Sequence, residues 1–442
     1  MNSPACLRTT VRFHALVMGL AILFLSSGAG SLCIAEQENV DRTIQSRIHS
    51  KRVSDASHST DSVENPAKRL LLAQRSRSNE GNKGDKRTED QVWRSDELEI
   101  LGIGMGVGDV DGDGVNEIVV IDPATVYLYR MSPDRKLSLV TEYSASSLEL
   151  KSVDVAKIRK QGPARIYVSA QNRGSVNSFV LEYRNGALVP VISDNPYFLR
   201  VIDYPTHGQF LLGQKKGLKR MYDGPVYRLT DKGDDLESMG RFGVPLKIPV
   251  FGFAIGDFQG NRQPLIAVYD RDEHLRIYEP SGKRLYLSQD YYGGSDVVMR
   301  AAGPEMRSDP MRGDSEKEKE YFRPRIMAKN FGTDALYEIL AITHSSKTRR
   351  LLTQTKMLED GQVFCLKWNG DTIVEAWSTP RIQGMVTDFA INTLPGFSGE
   401  RLITLERRKT DWFSFLKSRS QIRVYDLHYL QSEGVQKGAK ED

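Results

Sequence analysis

The sequence predicts an all-β fold, a β-propeller of four-stranded blades whose ring is closed by an N-terminal strand. Three observations point there. From Trp93 onward the chain breaks into short apolar runs rich in β-branched and aromatic residues, with Gly, Pro, Asn and Asp between them and little helical period. The runs recur in units at a spacing of roughly 40–50 residues, most with three or four strand-like segments, as propeller blades do. Finally, a lone segment, QVWRSDEL (91–98), precedes the first unit, while the last unit has no fourth segment.

Each unit opens with an apolar segment ending at or near an acid or amide: GMGVGDV at 104, LKSVDVA at 150, FLRVIDY at 198, VFGFAIGDF at 250, PRIMAKNF at 324 and GMVTDFAI at 384. Second segments follow as EIVVID, RIYVSA, QFLLGQ, PLIAVYD, EILAITH and RLITLE. Third segments are TVYLYR, SFVLEY, VYRLT, LRIYEP, VFCLKW and IRVYDL. LSLVTEY, LVPVISD, LYLSQDY and TIVEAWS supply fourth segments to four of the units. The lone N-terminal segment then completes the last blade and removes an open sheet edge. This reading gives six blades, or seven if the long third or fifth unit is split. Residues 301–320 are an insertion with the composition of a solvated loop.

Outside the repeats, residues 1–35 have the basic start, short apolar run (ALVMGLAILFL, 15–25) and CIA ending of a signal peptide. An uncleaved N-terminal anchor is the alternative. Residues 36–90 lack Phe, Trp and Tyr and read as a disordered polar linker. The propeller is expected over 91–430 and a disordered tail over 431–442. After cleavage one cysteine, Cys365, would remain, so an exported fold would rest on packing and not on internal disulfides. Cys365 lies in an alternating apolar run and is expected in a buried strand. The 61 basic and 57 acidic residues give a net charge of +4, too balanced to argue for nucleic acid as a partner.

The acids of the first unit stand out, in GVGDVDGDGVNEIVVID (106–122). This stretch resembles the FG-GAP (VCBS-type) repeat of integrin α-chain propellers and secreted bacterial proteins, in which a loop between the first two strands of a blade binds calcium. Chemistry agrees with the resemblance: carboxylates at alternate positions of a turning loop converge to give a hard divalent cation its roughly 6–8 oxygens. Asp109, Asp111 and Asp113 would contribute side chains, Val115 its carbonyl and Glu117 the closing carboxylate, with Gly112 and Gly114 allowing the turn. Elsewhere the pattern decays: Asp154 is followed by VAKIRKQG and Asp257 by FQGNRQP. A possible second metal set is Asn330, Asp334 and Glu338.

The loops between second and third strands fall on the opposite face and are long and basic. In ERRKTDWFSFLKSRSQ (406–421), Trp412, Phe413 and Phe415 lie among Arg407, Arg408 and Lys409. Aromatic residues flanked by cations suit an interface with an envelope protein, a glycan or an anionic membrane surface. The function expected is therefore an exported, Ca2+-stabilised binding or assembly scaffold, periplasmic, outer-membrane-associated or extracellular, and not an enzyme. A propeller-fold glycan hydrolase or lyase is the alternative, with His207, His274 and His344 near strand ends. No histidine pair has metal-ligand spacing, and no Gly-x-Ser-x-Gly elbow is present.

Overall fold

The computed structural model describes residues 91–217, 221–245, 248–299, 320–332, 336–345, 358–408 and 419–432. The expected signal segment, linker and most of the tail lie outside these residues, as do Asp334, Lys409, Trp412, Phe413 and Phe415. Six four-stranded antiparallel blades are present, as the repeats predict. The lone N-terminal strand β1 (Val92–Arg94) precedes blade 1, formed by β2 (Gly104–Gly108), β3 (Glu117–Ile121), β4 (Thr125–Met131) and β5 (Leu137–Ser144). Blade 2 is β6 (Glu149–Ala156), β7 (Arg165–Asn172), β9 (Ser178–Arg184) and β10 (Ala187–Asn195), with the short β8 (Ser175–Val176) beside β7. Blade 3 comprises β11 (Tyr197–Tyr204), β12 (Gly208–Lys215), β13 (Val226–Asp231) and β14 (Leu236–Arg241).

In blade 4 the order is β15 (Phe253–Gly256), β16 (Leu265–Tyr269), β17 (His274–Tyr278) and β18 (Arg284–Tyr291). A two-stranded ribbon, β19 (Val298–Met299) and β20 (Glu320–Tyr321), separates it from blade 5. Blade 5 contains β21 (Ile326–Lys329), β22 (Glu338–Ser345), β23 (Glu359–Trp368) and β24 (Ile373–Ser378). Blade 6 takes β25 (Gly384–Thr393), β26 (Glu400–Arg408) and β27 (Ser420–Asp426), and β1 pairs with β27 to complete it. The register runs Val92 to Tyr425, Trp93 to Val424 and Arg94 to Arg423.

Among the described residues the buried apolar side chains fall into six clusters, one at each junction between adjacent blades. That arrangement explains the unbroken apolar run after the acids. Along β3, Val119 and Ile121 pack toward blade 2, whereas Ile118 and Val120 pack toward blade 6. A strand sandwiched on both sides needs apolar residues at every position, and alternation disappears. Near the axis the inner strands crowd together. A Cβ on Gly106 would stand 2.9 Å from a Val155 methyl and 3.0 Å from its backbone nitrogen, so only glycine admits that approach.

The segment between blades 4 and 5 crosses the mouth of the ring on the face opposite the β2–β3 loop. Its Val298 carbonyl accepts from Lys151 Nζ of blade 2 at 2.9 Å, Gly293 donates to Ile342 of blade 5 at 2.6 Å, and Asp296 pairs with Arg407 of blade 6. Residues 301–319 of the insertion lie outside the described residues; its last residue, Glu320, forms β20 with Tyr321 against Met299 and Val298.

Candidate functional site

The acidic loop turns between β2 and β3 at the end of blade 1. Gly112 and Gly114 hold φ of 84° and 86°, a region open to glycine, and carry the chain around the acids. Asp109 sits at the centre: its Oδ1 accepts from Gly112 N at 2.6 Å and its Oδ2 from Gly114 N at 3.1 Å. Carboxylate oxygens of Asp109, Asp111 and Glu117 all come within 4.8 Å of one another. Asp113 is not in that group; it is exposed, and its Oδ1 accepts from Val115 N at 2.7 Å.

Glu117 opens β3 and its side chain is fully buried, held by Val110 N–H at 3.1 Å on Oε2 and by Arg130 Nε at 3.2 Å on Oε1. Burial pushes its carboxyl above the usual range, and the neighbouring Asp111 adds to this. Arg130 lies on β4, where the register sets Tyr129 opposite Ile118, and it bridges Glu117 and Asp111. Three clustered carboxylates thus share one guanidinium, which pairs with two of them. The oxygen donors and surplus negative charge fit a hard divalent cation, for which Asp109, Asp111 and Glu117 would be the side-chain ligands.

The loop of blade 4 keeps the turn without the acids. Asp257 caps it in the same way as Asp109, accepting from Asn261 N at 3.1 Å on Oδ1 and from Arg262 N at 2.6 Å on Oδ2. An aspartate in the first position therefore organises this corner through backbone N–H groups even where later acids are missing. In blade 5, Asn330 Oδ1 accepts from Gly332 N at 2.8 Å, while Glu338 pairs with Lys367 and accepts from Cys365 Sγ. Cys365 is buried in β23, as expected, and burial pushes its thiol up.

On the opposite face, Arg407 pairs with Asp296, and Arg408 reaches Glu97 at 2.5 Å, as does Arg419. Read from sequence as loop cations, Arg407 and Arg408 are ion-paired at the base of the β26–β27 connection. His207 is exposed in a turn, His344 is buried with Nδ1 3.0 Å from the Gly293 carbonyl, and His274 packs on Tyr291. Asp270 near His274 is engaged by Arg276, a local ion pair.

The sequence reading missed the axis. Asp154 and Asp388, which it grouped with the acids ending first segments, lie within inner strands and converge on Arg325. Arg325 donates to Asp388 through Nε at 2.7 Å and to Asp154 through Nη1 at 2.8 Å. Its Nη2 reaches the carbonyls of Met105 at 3.0 Å and Val153 at 3.2 Å. Asp388 also accepts from Met105 N–H at 2.9 Å, and Asp154 from Val201 N–H at 2.9 Å. One guanidinium thus ties blades 1, 2, 5 and 6 together, and blade 3 through Asp154. The signal was an Arg-Ile pair at a strand start facing acids in other units, and no local pattern joins them. Beside the pin lies a cavity of about 90 Å³ lined by residues of all six inner strands.

No family model matches the chain, and no curated protein matches it. Similar solved structures include BBS1N in a complex with ARL6DN soaked with mercury, at 12% identity and a TM-score of 0.40 over 76% of this chain and 97% of that one. Another is a glucose dehydrogenase at 11% identity and a TM-score of 0.37, covering 75% of this chain and 98% of that one. The chain itself is a six-bladed β-propeller.

Proposed function

We propose that this chain is an exported propeller of the FG-GAP (VCBS) type, stapled by Ca2+ at the first corner of blade 1, that serves as a non-catalytic binding or assembly scaffold at the cell envelope. The observation that carries the reading is the convergence of Asp109, Asp111 and Glu117 at the β2–β3 turn, beside a single guanidinium. Bound calcium would supply the charge that the loop lacks; the loop's own residues order the turn and hold Glu117 at the head of β3. A scaffold reading also suits the axial cavity, since about 90 Å³ is far below the roughly 300–1,000 Å³ of ligand pockets. Partner contact is proposed for Trp412, Phe413 and Phe415, with an envelope protein, glycan or anionic membrane surface as partner.

Calcium titration of the full chain tests the metal. At a hundredfold excess over Kd it should stabilise the fold by about 2.7 kcal/mol, seen as a rise in melting temperature. Asp111→Asn should remove that rise. A wild-type melt indifferent to calcium would refute the staple. For the partner face, Trp412→Ala with Phe413→Ala should weaken retention on envelope fractions while the melt stays in place; equal retention would return these residues to a structural role.

A further inference from the structure

The two arginines of the axis differ in how they are satisfied. Arg325 directs every nitrogen at an acceptor. Arg200, on β11, is as deeply buried, its side chain 4% exposed, yet among the described residues it makes no hydrogen bond to protein. Its closest acid is Asp154, whose Oδ1 lies 3.4 Å from Nη1. That oxygen already accepts from Arg325 at 2.8 Å, and Oδ2 accepts from Val201 N–H. Asp388 is likewise committed to Arg325. Five N–H donors on a buried cation are costly to leave unmade.

What Arg200 faces is open space. None of its nitrogens is among the sealed, unpartnered polar atoms, and the residue lines the axial cavity. Burial and the like charge of Arg325 push the guanidinium below its ordinary value, against the pull of Asp154 and Asp388, which it shares with Arg325. Around it the lining is mixed, with the amides of Gln209 and Asn392 and the apolar Val155, Ile202 and Ala328. Such a space takes a few waters or one small molecule.

We propose that the axial cavity binds a small carboxylate, the size of formate or acetate, through the unused edge of the Arg200 guanidinium. A planar monoanion matches the guanidinium fork. A phosphate dianion would crowd Asp154 with a second negative charge, and a larger acid exceeds the volume. Entry is from the acidic-loop face: the lining of β2, β6 and β25 comes from the halves of those strands that run to that face, and the other mouth is crossed by residues 292–299. Asp203 also lines the cavity, with its side chain exposed, and its negative charge works against an incoming anion.

The test is a thermal melt and calorimetric titration of the full chain in EDTA, with sodium formate, acetate, succinate, phosphate or chloride at one ionic strength. Formate and acetate should raise the melting temperature saturably; chloride, phosphate and succinate should not. Arg200→Gln should weaken acetate binding by at least about tenfold, and Asp203→Asn should tighten it. A melt equal in acetate and chloride overturns the proposal, as does an Arg200→Gln protein that keeps the acetate shift. Should Arg200→Gln fail to fold, Asp203→Asn decides: no tightening overturns the proposal. EDTA separates the result from the metal loop, so either reading can fail alone.

Discussion

Replacing Arg325 with methionine should cost the fold about 3–5 kcal/mol, the range for breaking a buried ion pair by removing one partner. The structure argues for the upper part of that range. The substitution removes the guanidinium of Asp388, takes one of two from Asp154, which keeps Arg200 at 3.4 Å, and leaves two carbonyls unpaired by it, on strands from three other blades. Asp388 and Asp154 would keep backbone donors from Met105 and Val201, which limits the loss. Methionine fills much of the space, so the cost reports on charge more than on cavity. The assay is urea unfolding of the full chain, comparing midpoints at equal slope, with unfolding rates as the fallback if refolding is incomplete. Adding Asp388→Asn to the Arg325→Met protein should recover part of the loss, because it removes one uncompensated charge. A cost below about 1 kcal/mol, the level of a solvated surface pair, would refute the view that the axis is pinned by this guanidinium.

Three further outcomes are expected. In EDTA, wild-type stability relative to Glu117→Gln should fall as pH rises. Burial lifts the Glu117 carboxyl above its ordinary value, so the folded state holds that proton longer; the contribution is full below about 4.3 and is lost as pH rises through the folded value. Paired melts across pH check it, and a constant difference would count against a strained acid. Removing residues 91–98 should leave β27 with an unpaired edge and strip Trp93 from its edge-on contact with Phe397, lowering the melt and driving self-association in light scattering. Gly384→Ala should be among the costliest glycine changes, since φ there is 147° and a Cβ would lie 2.2 Å from the Arg407 carbonyl oxygen; an unaltered melt would contradict that geometry.

Blade order was legible in the sequence because inner and middle strands are packed on both sides and read as apolar runs. Outer strands are different. β14 (LESMGR) buries only Leu236, so nothing in its pattern marks a strand and the fourth segment of blade 3 was missed. The acidic loop was legible because its acids are neighbours in the chain. The axial pin was not, because Arg325 meets Asp388 and Asp154 across 63 and 171 residues, and a mid-strand acid looks locally like a degraded loop position. The same distance problem hid the pairing of Arg408 with Glu97, which made a paired cation read as a free one.

The position of the acidic loop suggests why the first blade alone keeps its acids. Blade 6 is built from both ends of the propeller, so the ring can open by unzipping β1 from β27 without breaking a connection elsewhere. Blade 1 adjoins that blade, and its acidic loop reaches across: Asn116 Nδ2 donates to Asn392 Oδ1, Thr393 O and Thr393 Oγ1, each at 3.0 Å. Asn392 in turn donates to the Val107 carbonyl at 3.2 Å. A cation that orders residues 109–117 would therefore tighten the junction at which the ring closes. Hydrogen exchange distinguishes this from simple loop ordering. Calcium should raise protection in β2, β3, β25, β27 and β1 more than in blade 3, which lies away from that junction. Protection confined to residues 109–117, or spread evenly over all six blades, would mean that the loop holds itself and not the ring.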